Sequence, residues 1–219
     1  MTRAKLICTL GPSSRDETTV RELVQAGMNI ARLNFSHDTH EEFQHRISLI
    51  RKISEETGRP IAILGDLGGP KIRLGNIENG SFPIAAGDSL TITTRTIMGK
   101  TGIVSTTYAN LVSDVEKGNR ILIDDGKIEL VVDEVRPEEV KTTVVIGGEL
   151  KEHKGFNLPG VLVSAPSITA KDFGDIEFAV REGIDLLALS FVKTPGDVIK
   201  AKKLIANYGC TIPVIAKIE

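Results

Sequence analysis

The chain has 219 residues, of which 41% are hydrophobic and 26% charged; that composition excludes a disordered tail and leaves room for a sizeable core or two domains. A formal charge of -2 supplies no general attraction to nucleic acid, so a polyanionic partner needs a local basic cluster, which favours a small phosphorylated molecule. No stretch reaches the roughly 20 apolar residues of a membrane span, MTRAKLICTLG holds no cleavage-like segment, and Cys8 and Cys210 sit far apart in apolar runs; the expectation is a cytoplasmic protein with two buried, reduced thiols.

AKLICTLG (4–11) predicts a first strand. RDETTVRELVQAG (15–27) predicts a helix with Val20, Leu23 and Val24 on one face, Asp16 and Glu17 in its first turn and Gly27 near its end. MNIARLNFS (28–36) is the second strand, and HEEFQHRISLIRKISEETG (40–58) a helix whose apolar stripe runs through Phe43, Ile47, Ile50 and Ile53. RPIAILGDL (59–67) is the third strand, and this alternation builds a parallel sheet.

From about Asn76 the pattern changes to period two, in SLTITTR, GIVSTT, RILIDDGKIELVVDEV and VKTTVVIGG, with a hairpin signal at DDG (124–126). After about Pro166 the helix–strand rhythm resumes with AKDFGDIEFAVREG (170–183), IDLLALSFV (184–192), GDVIKAKKLIANYG (196–209) and a strand near 211 that ends in PVIAKIE. The domain reading is therefore 1–75 and 166–219 as two parts of one α/β domain, with 76–165 as an all-β insertion. In the final strand Lys217 and Glu219 face one side, and Ile218 is expected to be buried on the other.

Five parallel strands could form a small open sheet, but polar residues gather at their carboxyl ends: Arg32, Asn34 and Ser36, then Asp66, Ser190, and Lys217 with Glu219. That is how a TIM (β/α)8 barrel presents its catalytic face, and the fold class expected is a partial TIM barrel, lacking its last three strands, with an inserted β domain. Arg32, Asn34 and Ser36 alternate with Leu33 and Phe35, so a guanidinium, an amide and a hydroxyl share one face. Such an arginine suits a phosphate or carboxylate, although an edge strand with one solvated side gives the same alternation.

GDLGGPKIRLG (65–75) sets Asp66 before glycines and then Lys71 and Arg73, which suits a cation followed by a phosphate, or merely a turn into the insertion. IDDGK (123–127) and HKGFNLPG (153–160) are candidate lid elements, in which Lys154 approaches a phosphate and Asp125 a nucleotide; Asp124 and Asp125 also fit plain hairpin residues. Lys217 can neutralise a transferring phosphoryl group, and Glu219 can hold Mg²⁺ beside it. The histidines lack metal-ligand spacing: His40 and His45 read as helix-surface residues, and His37 as a nucleotide neighbour.

KLICTLGPSS (5–14), AGMNIARLNFSH (26–37), GDLGGPKIRLG (65–75), IDDG (123–126), KGFNLPG (154–160), DLLALSFV (185–192) and IPVIAKIE (212–219) follow one another across nearly the whole chain. Together they closely resemble the pyruvate kinase family. The resemblance implies phosphoryl transfer from phosphoenolpyruvate to ADP, giving pyruvate and ATP, with Mg²⁺ or Mn²⁺. It implies that Arg32 holds the substrate phosphate, that Lys217 stabilises the moving phosphoryl group, that Phe191 walls the substrate site and that Glu219 is a first Mg²⁺ carboxylate. On the nucleotide side it implies Arg73 and His37, with Lys154 arriving from the lid; Asp125, read from its place in the hairpin, joins them as a contact to a nucleotide or metal-bound ligand.

Asn34, Ser36, Asp66 and, through its backbone, Leu67 match the ligands of a monovalent cation bound by many members of the family. Potassium-dependent members usually carry Thr after the aspartate and Glu after the proline, where this chain has Leu67 and Lys71. A lysine ammonium can take over the charge of K⁺, so potassium-independent activity is expected. The family's second Mg²⁺ carboxylate and its C-terminal domain would lie beyond residue 219, so the isolated chain is expected to be an inactive part of a homotetrameric enzyme. The alternative is a non-catalytic module that binds phosphoenolpyruvate or a nucleotide.

Overall fold

In the computed structural model, which describes residues 4–218, the chain opens with strand β1 (Leu6–Thr9), helix α1 (Glu17–Ala26), strand β2 (Met28–Asn34), helix α2 (His40–Thr57) and strand β3 (Ala62–Asp66). Asp16 is the N-cap of α1, accepting the Thr19 amide at 2.8 Å, and Gly27 ends it at φ 110° while its amide returns to the carbonyls of Leu23 and Val24. A left-handed residue there favours glycine, which has no Cβ to clash. Helix α2 starts on a reciprocal Thr39–Glu42 capping box. Strand β2 stops at Asn34, so Ser36 lies in the following turn and not on the strand as expected. The turn takes over because Asn34 Oδ1 accepts the Ser36 amide at 3.0 Å.

The chain then builds a separate compact unit, residues 71–165. Its strands are β4 (Ser81–Ile84), β5 (Ser89–Thr93), β6 (Ile103–Ser105), β7 (Arg120–Ile123), β8 (Ile128–Val135), β9 (Glu139–Ile146), β10 (Gly148–Lys151) and β11 (Phe156–Asn157), with the one-turn helix α3 (Leu111–Asp114) between β6 and β7. Six of them form a sheet in the order β11-β7-β8-β9-β5-β6, and β4 pairs with β10. Residues 71–75 belong to this unit and not to the barrel part. Leu74 is fully buried in the β core, its amide donates to the Lys154 carbonyl at 2.9 Å, and the Gly75 amide donates to that of Ser105 at 2.9 Å.

The first unit, residues 1–70 and 166–219, is completed by helix α4 (Ala170–Arg181), strand β12 (Leu186–Leu189), helix α5 (Pro195–Asn207) and strand β13 (Val214–Ala216). Its five strands are all parallel in the order β1-β2-β3-β12-β13, an incomplete TIM barrel. The helices cover the sheet through one apolar core. Phe35 lies at its centre, fully buried, with its ring centroid 4.9 Å from that of Phe43 and 5.9 Å from that of Phe178. Gly65 in β3 makes room for that ring, because a Cβ there would come within 2.9 Å of Phe35 Cε2 and Cζ.

The outer strands are less covered than the sequence suggested. Leu6 and Ile7 of β1 are exposed, and Ile218 is 79% exposed, the reverse of its expected burial. Ile218 lies two residues past the end of β13, which among the described strands is the last in the sheet and pairs with β12. Cys8 and Cys210 are free thiols as expected, but half-buried. His40 sits on the helix surface as expected, its side chain 41% exposed, but it also has partners: its ring stacks on Phe178 at 4.3 Å and its Nε2 lies 2.9 Å from Asp175 Oδ1. Among the described residues no helix is long and apolar enough to cross a membrane.

Candidate active site

Parallel strands in register end along one rim, so side chains at their carboxyl ends meet without any long loop to carry them. Thr9 pairs with Arg32, Asn34 with Asp66, Asp66 with Ala188 and Leu189 with Ala216 in the strand register. The resulting rim holds a continuous polar chain with one member from each of the five strands or the residue just past it. Thr9 Oγ1 accepts Arg32 Nη1 at 2.8 Å, and Arg32 Nε donates to Asp66 Oδ2 at 2.7 Å. Lys217 Nζ reaches Asp66 Oδ1 at 3.2 Å and donates to Ser190 Oγ at 2.8 Å, while Ser190 Oγ donates to the Leu67 carbonyl at 2.7 Å.

One buried carboxylate thus serves two cations. The Asp66 side chain is 3% exposed, whereas those of Arg32 and Lys217 keep 31% and 34%. These three groups carry a net positive charge at a partly open rim, and the arginine fork and the ammonium are both held in place before any anion arrives. Such preorganised donors are what stabilise charge on a phosphoryl group.

The neighbouring loops are also pinned. The Phe35 amide donates to the Asp66 carbonyl at 2.9 Å, and Asp38, at φ 64°, is held by Arg46 at 2.8 Å and Arg15 at 3.0 Å. Phe191 adopts φ 55°, an unusual conformation for a bulky side chain that costs on the order of 1–3 kcal/mol. Its ring packs on Gly69, where a Cβ would lie 3.0 Å from Phe191 Cδ2 and 3.3 Å from Ser190 Cβ. On either side of Phe191, Ser190 Oγ donates to the Leu67 carbonyl and the Val192 amide donates to the Lys217 carbonyl at 3.1 Å.

Of the residues singled out in the sequence, Arg32, Asp66 and Lys217 are in direct contact, and Asn34 and Leu67 stand at the same strand ends. Ser36 and the exposed His37 lie in the turn after β2. Of the oxygen donors named for a monovalent cation, Asn34 Oδ1 takes the Ser36 amide, Asp66 takes both cations and the Leu67 carbonyl takes Ser190.

In the β unit, Arg73 Nη1 donates to the His153 carbonyl at 3.0 Å and Lys154 Nζ meets Asp124 Oδ1 at 2.9 Å. Asp124 and Asp125 both have positive φ, 51° and 58°, which makes the turn tight. Hydrogen bonds from Lys127 and then Lys154 hold the Asp124 carboxyl below its usual range. Asp124, not Asp125, is the carboxylate that engages Lys154; Asp125 and Lys71 are exposed.

Among the described residues no group of three or more His, Cys, Asp or Glu side chains could hold a metal ion. Asp66, the buried carboxylate of the rim, is committed to Arg32 and Lys217, and Glu219 lies outside the described residues. The described side chains do not make up a divalent-cation site by themselves.

Thr9 was missed in the sequence, and Ser190 was noted only as a polar strand end. The signal for both is position, a small hydroxyl residue at the carboxyl end of a barrel strand.

A parallel barrel sheet interrupted by a β domain, with clustered cations at the strand carboxyl ends, defines a chain of the (β/α) barrel class. The particular family follows from comparison with known proteins: the chain belongs to the pyruvate kinase family, whose barrel-domain model matches residues 1–219. It is 44% identical over 217 residues to a pyruvate kinase of Mycobacterium tuberculosis, covering 99% of this chain and 46% of that protein. It is 43% identical over 221 residues to a pyruvate kinase of Staphylococcus aureus, covering 100% of this chain and 38% of that one. The chain therefore spans less than half the length of these relatives.

Proposed function

We propose that this sequence, within a protein of its relatives' length, takes part in phosphoryl transfer from phosphoenolpyruvate to ADP. The observation that carries the reading is the Arg32–Asp66–Lys217 cluster on the rim. Arg32 binds the substrate phosphate, and Lys217 meets the phosphoryl oxygens as the bridging bond breaks and the enolate leaves. Phe191 walls the site. Arg73, Lys154, His37 and Asp125 serve the nucleotide. Asn34, Ser36, Asp66 and Leu67 surround a position for positive charge, for which Lys71 substitutes. Mg²⁺ neutralises phosphate charge in such reactions, and Glu219 would offer one carboxylate for it. The working assembly is a homotetramer in the cytoplasm.

The test is pyruvate formation from phosphoenolpyruvate and ADP by the full-length protein. Lys217→Ala is expected to lower kcat by about 10²–10³-fold, the usual loss for one preorganised charge donor. An unchanged kcat would remove Lys217 from the chemistry and with it the observation on which the reading stands.

A further inference from the structure

Helix α4 places no side chain in the rim chain, yet it buries two carboxylates, Asp172 at 0% and Asp175 at 1% exposure. Capping accounts for half of one of them. Asp172 Oδ2 accepts the Thr169 amide at 2.8 Å and the Thr169 hydroxyl at 2.6 Å, which closes the helix start. Its other oxygen, Oδ1, accepts the amide of Gly69 at 3.2 Å, in the turn that follows β3.

Lys171, one residue earlier, crosses to the other rim loop. Its Nζ donates to the Phe35 carbonyl at 2.6 Å and to Asp175 Oδ2 at 2.6 Å. Asp175 is held from its far side by His40. A lysine whose side chain is 54% exposed would keep its ammonium in water unless the ordered geometry returned the lost freedom. The charge-assisted bonds to a buried carboxylate and a carbonyl supply that return.

The two loops gripped in this way flank the rim chain. Phe35 lies between Asn34 and Ser36, and Gly69 is two residues past Leu67, whose carbonyl receives the Ser190–Lys217 relay. We infer that Lys171 and Asp172 are positioning residues for the phosphoryl transfer proposed above: they fix the backbone after β2 and β3 and thereby the places of Arg32, Asp66 and Lys217. The inference rests on that functional reading for its kinetic readout and on the two contacts for its geometry.

In the full-length enzyme, Lys171→Met and Asp172→Ala are each expected to lower kcat by about 10–100-fold, as a displacement on the order of 1 Å does. The KM for ADP should change less than about 2-fold, and Lys171→Arg, which keeps a donor, should recover most of the rate. Amide exchange at Gly69 should speed up in Asp172→Ala and stay at the wild-type rate in Lys171→Met. A lower melting temperature with kcat per folded molecule unchanged in both variants would assign the residues to stability alone and overturn the inference. If the wild-type enzyme forms no pyruvate, the functional reading has failed separately. The exchange result then decides: faster Gly69 exchange in Asp172→Ala upholds the brace, and unchanged exchange refutes it.

Discussion

Replacing Asp66 by Asn keeps the shape of the rim's buried centre and removes only its charge. At about 3 Å and an effective dielectric constant of about 20, each ion pair with Arg32 or Lys217 is worth about 5 kcal/mol before desolvation. Burial of the carboxylate takes back several kcal/mol, and removing one member of a fully buried pair typically costs about 3–5 kcal/mol. Here the two cations keep 31% and 34% of their side chains exposed, so they can turn to water when the charge is lost. The expected destabilisation is therefore smaller, about 2–3 kcal/mol. Urea is the denaturant of choice because guanidinium would screen the pairs under study. The barrel-unit transition of the intact protein, followed by circular dichroism, should move to lower urea with an unchanged slope. A change below about 0.5 kcal/mol would mean that the pairs contribute no more than ordinary surface contacts, and the argument for a buried charge centre would fail.

Gly65→Ala should destabilise the same unit by about 1–3 kcal/mol, because the added methyl presses into the Phe35 ring of a filled core; stability equal to wild type would show that the ring can move aside. Asp197, in the first turn of α5, titrates at about 2 instead of 3.8: burial alone would raise it, but bonds from the Ser167 hydroxyl and the Thr194 and Lys193 amides hold it down. A depressed carboxylate gives stability that is complete above about pH 4 and lost as pH falls through about 2. Solvent screening limits the contribution to about 1 kcal/mol, so Asp197→Asn should lose that much at pH 6 and progressively less as pH falls through about 2, whereas a constant gap across the range would refute the linkage. The full-length enzyme should also show equal initial rates in sodium and potassium salts at matched ionic strength, and a need for potassium would refute the charge-replacement role of Lys71.

The barrel portion was legible because each strand–helix pair carries its own local signals. Asp16 before α1, Gly27 after it and the Phe43, Ile47, Ile50, Ile53 stripe of α2 are all within a few residues of what they specify. The rim residues were legible for a related reason, since register in a parallel sheet brings strand ends together by construction. What escaped were contacts between distant segments. His40 looks like any polar residue at a helix start, and its partner Asp175 is 135 residues away. Residues 71–75 carry turn chemistry that says a domain changes but not on which side of the change they pack. Ile218 was given a buried face by strand alternation, which presumes that the strand continues; β13 ends two residues earlier, at Ala216.

If the rim binds an anion as proposed, its geometry accounts for a carboxylate at the centre. Arg32 and Lys217 come from strands that are not neighbours, β2 and the end of β13, and without a counter-charge they would repel and swing outward. Asp66 lies on the strand between Arg32's and β12, close enough to hold both at once. It neutralises one positive charge and leaves the other, so under the proposed function a phosphate would meet a site that is attractive but already ordered. The ordering has to come from somewhere other than the substrate if it is to favour the transition state over the ground state. Ser190 and Thr9 supply it laterally, and α4 supplies it from behind through the carbonyl of Phe35 and the amide of Gly69. A loss at α4 should therefore show in the rate of the chemical step, at a site the helix never touches.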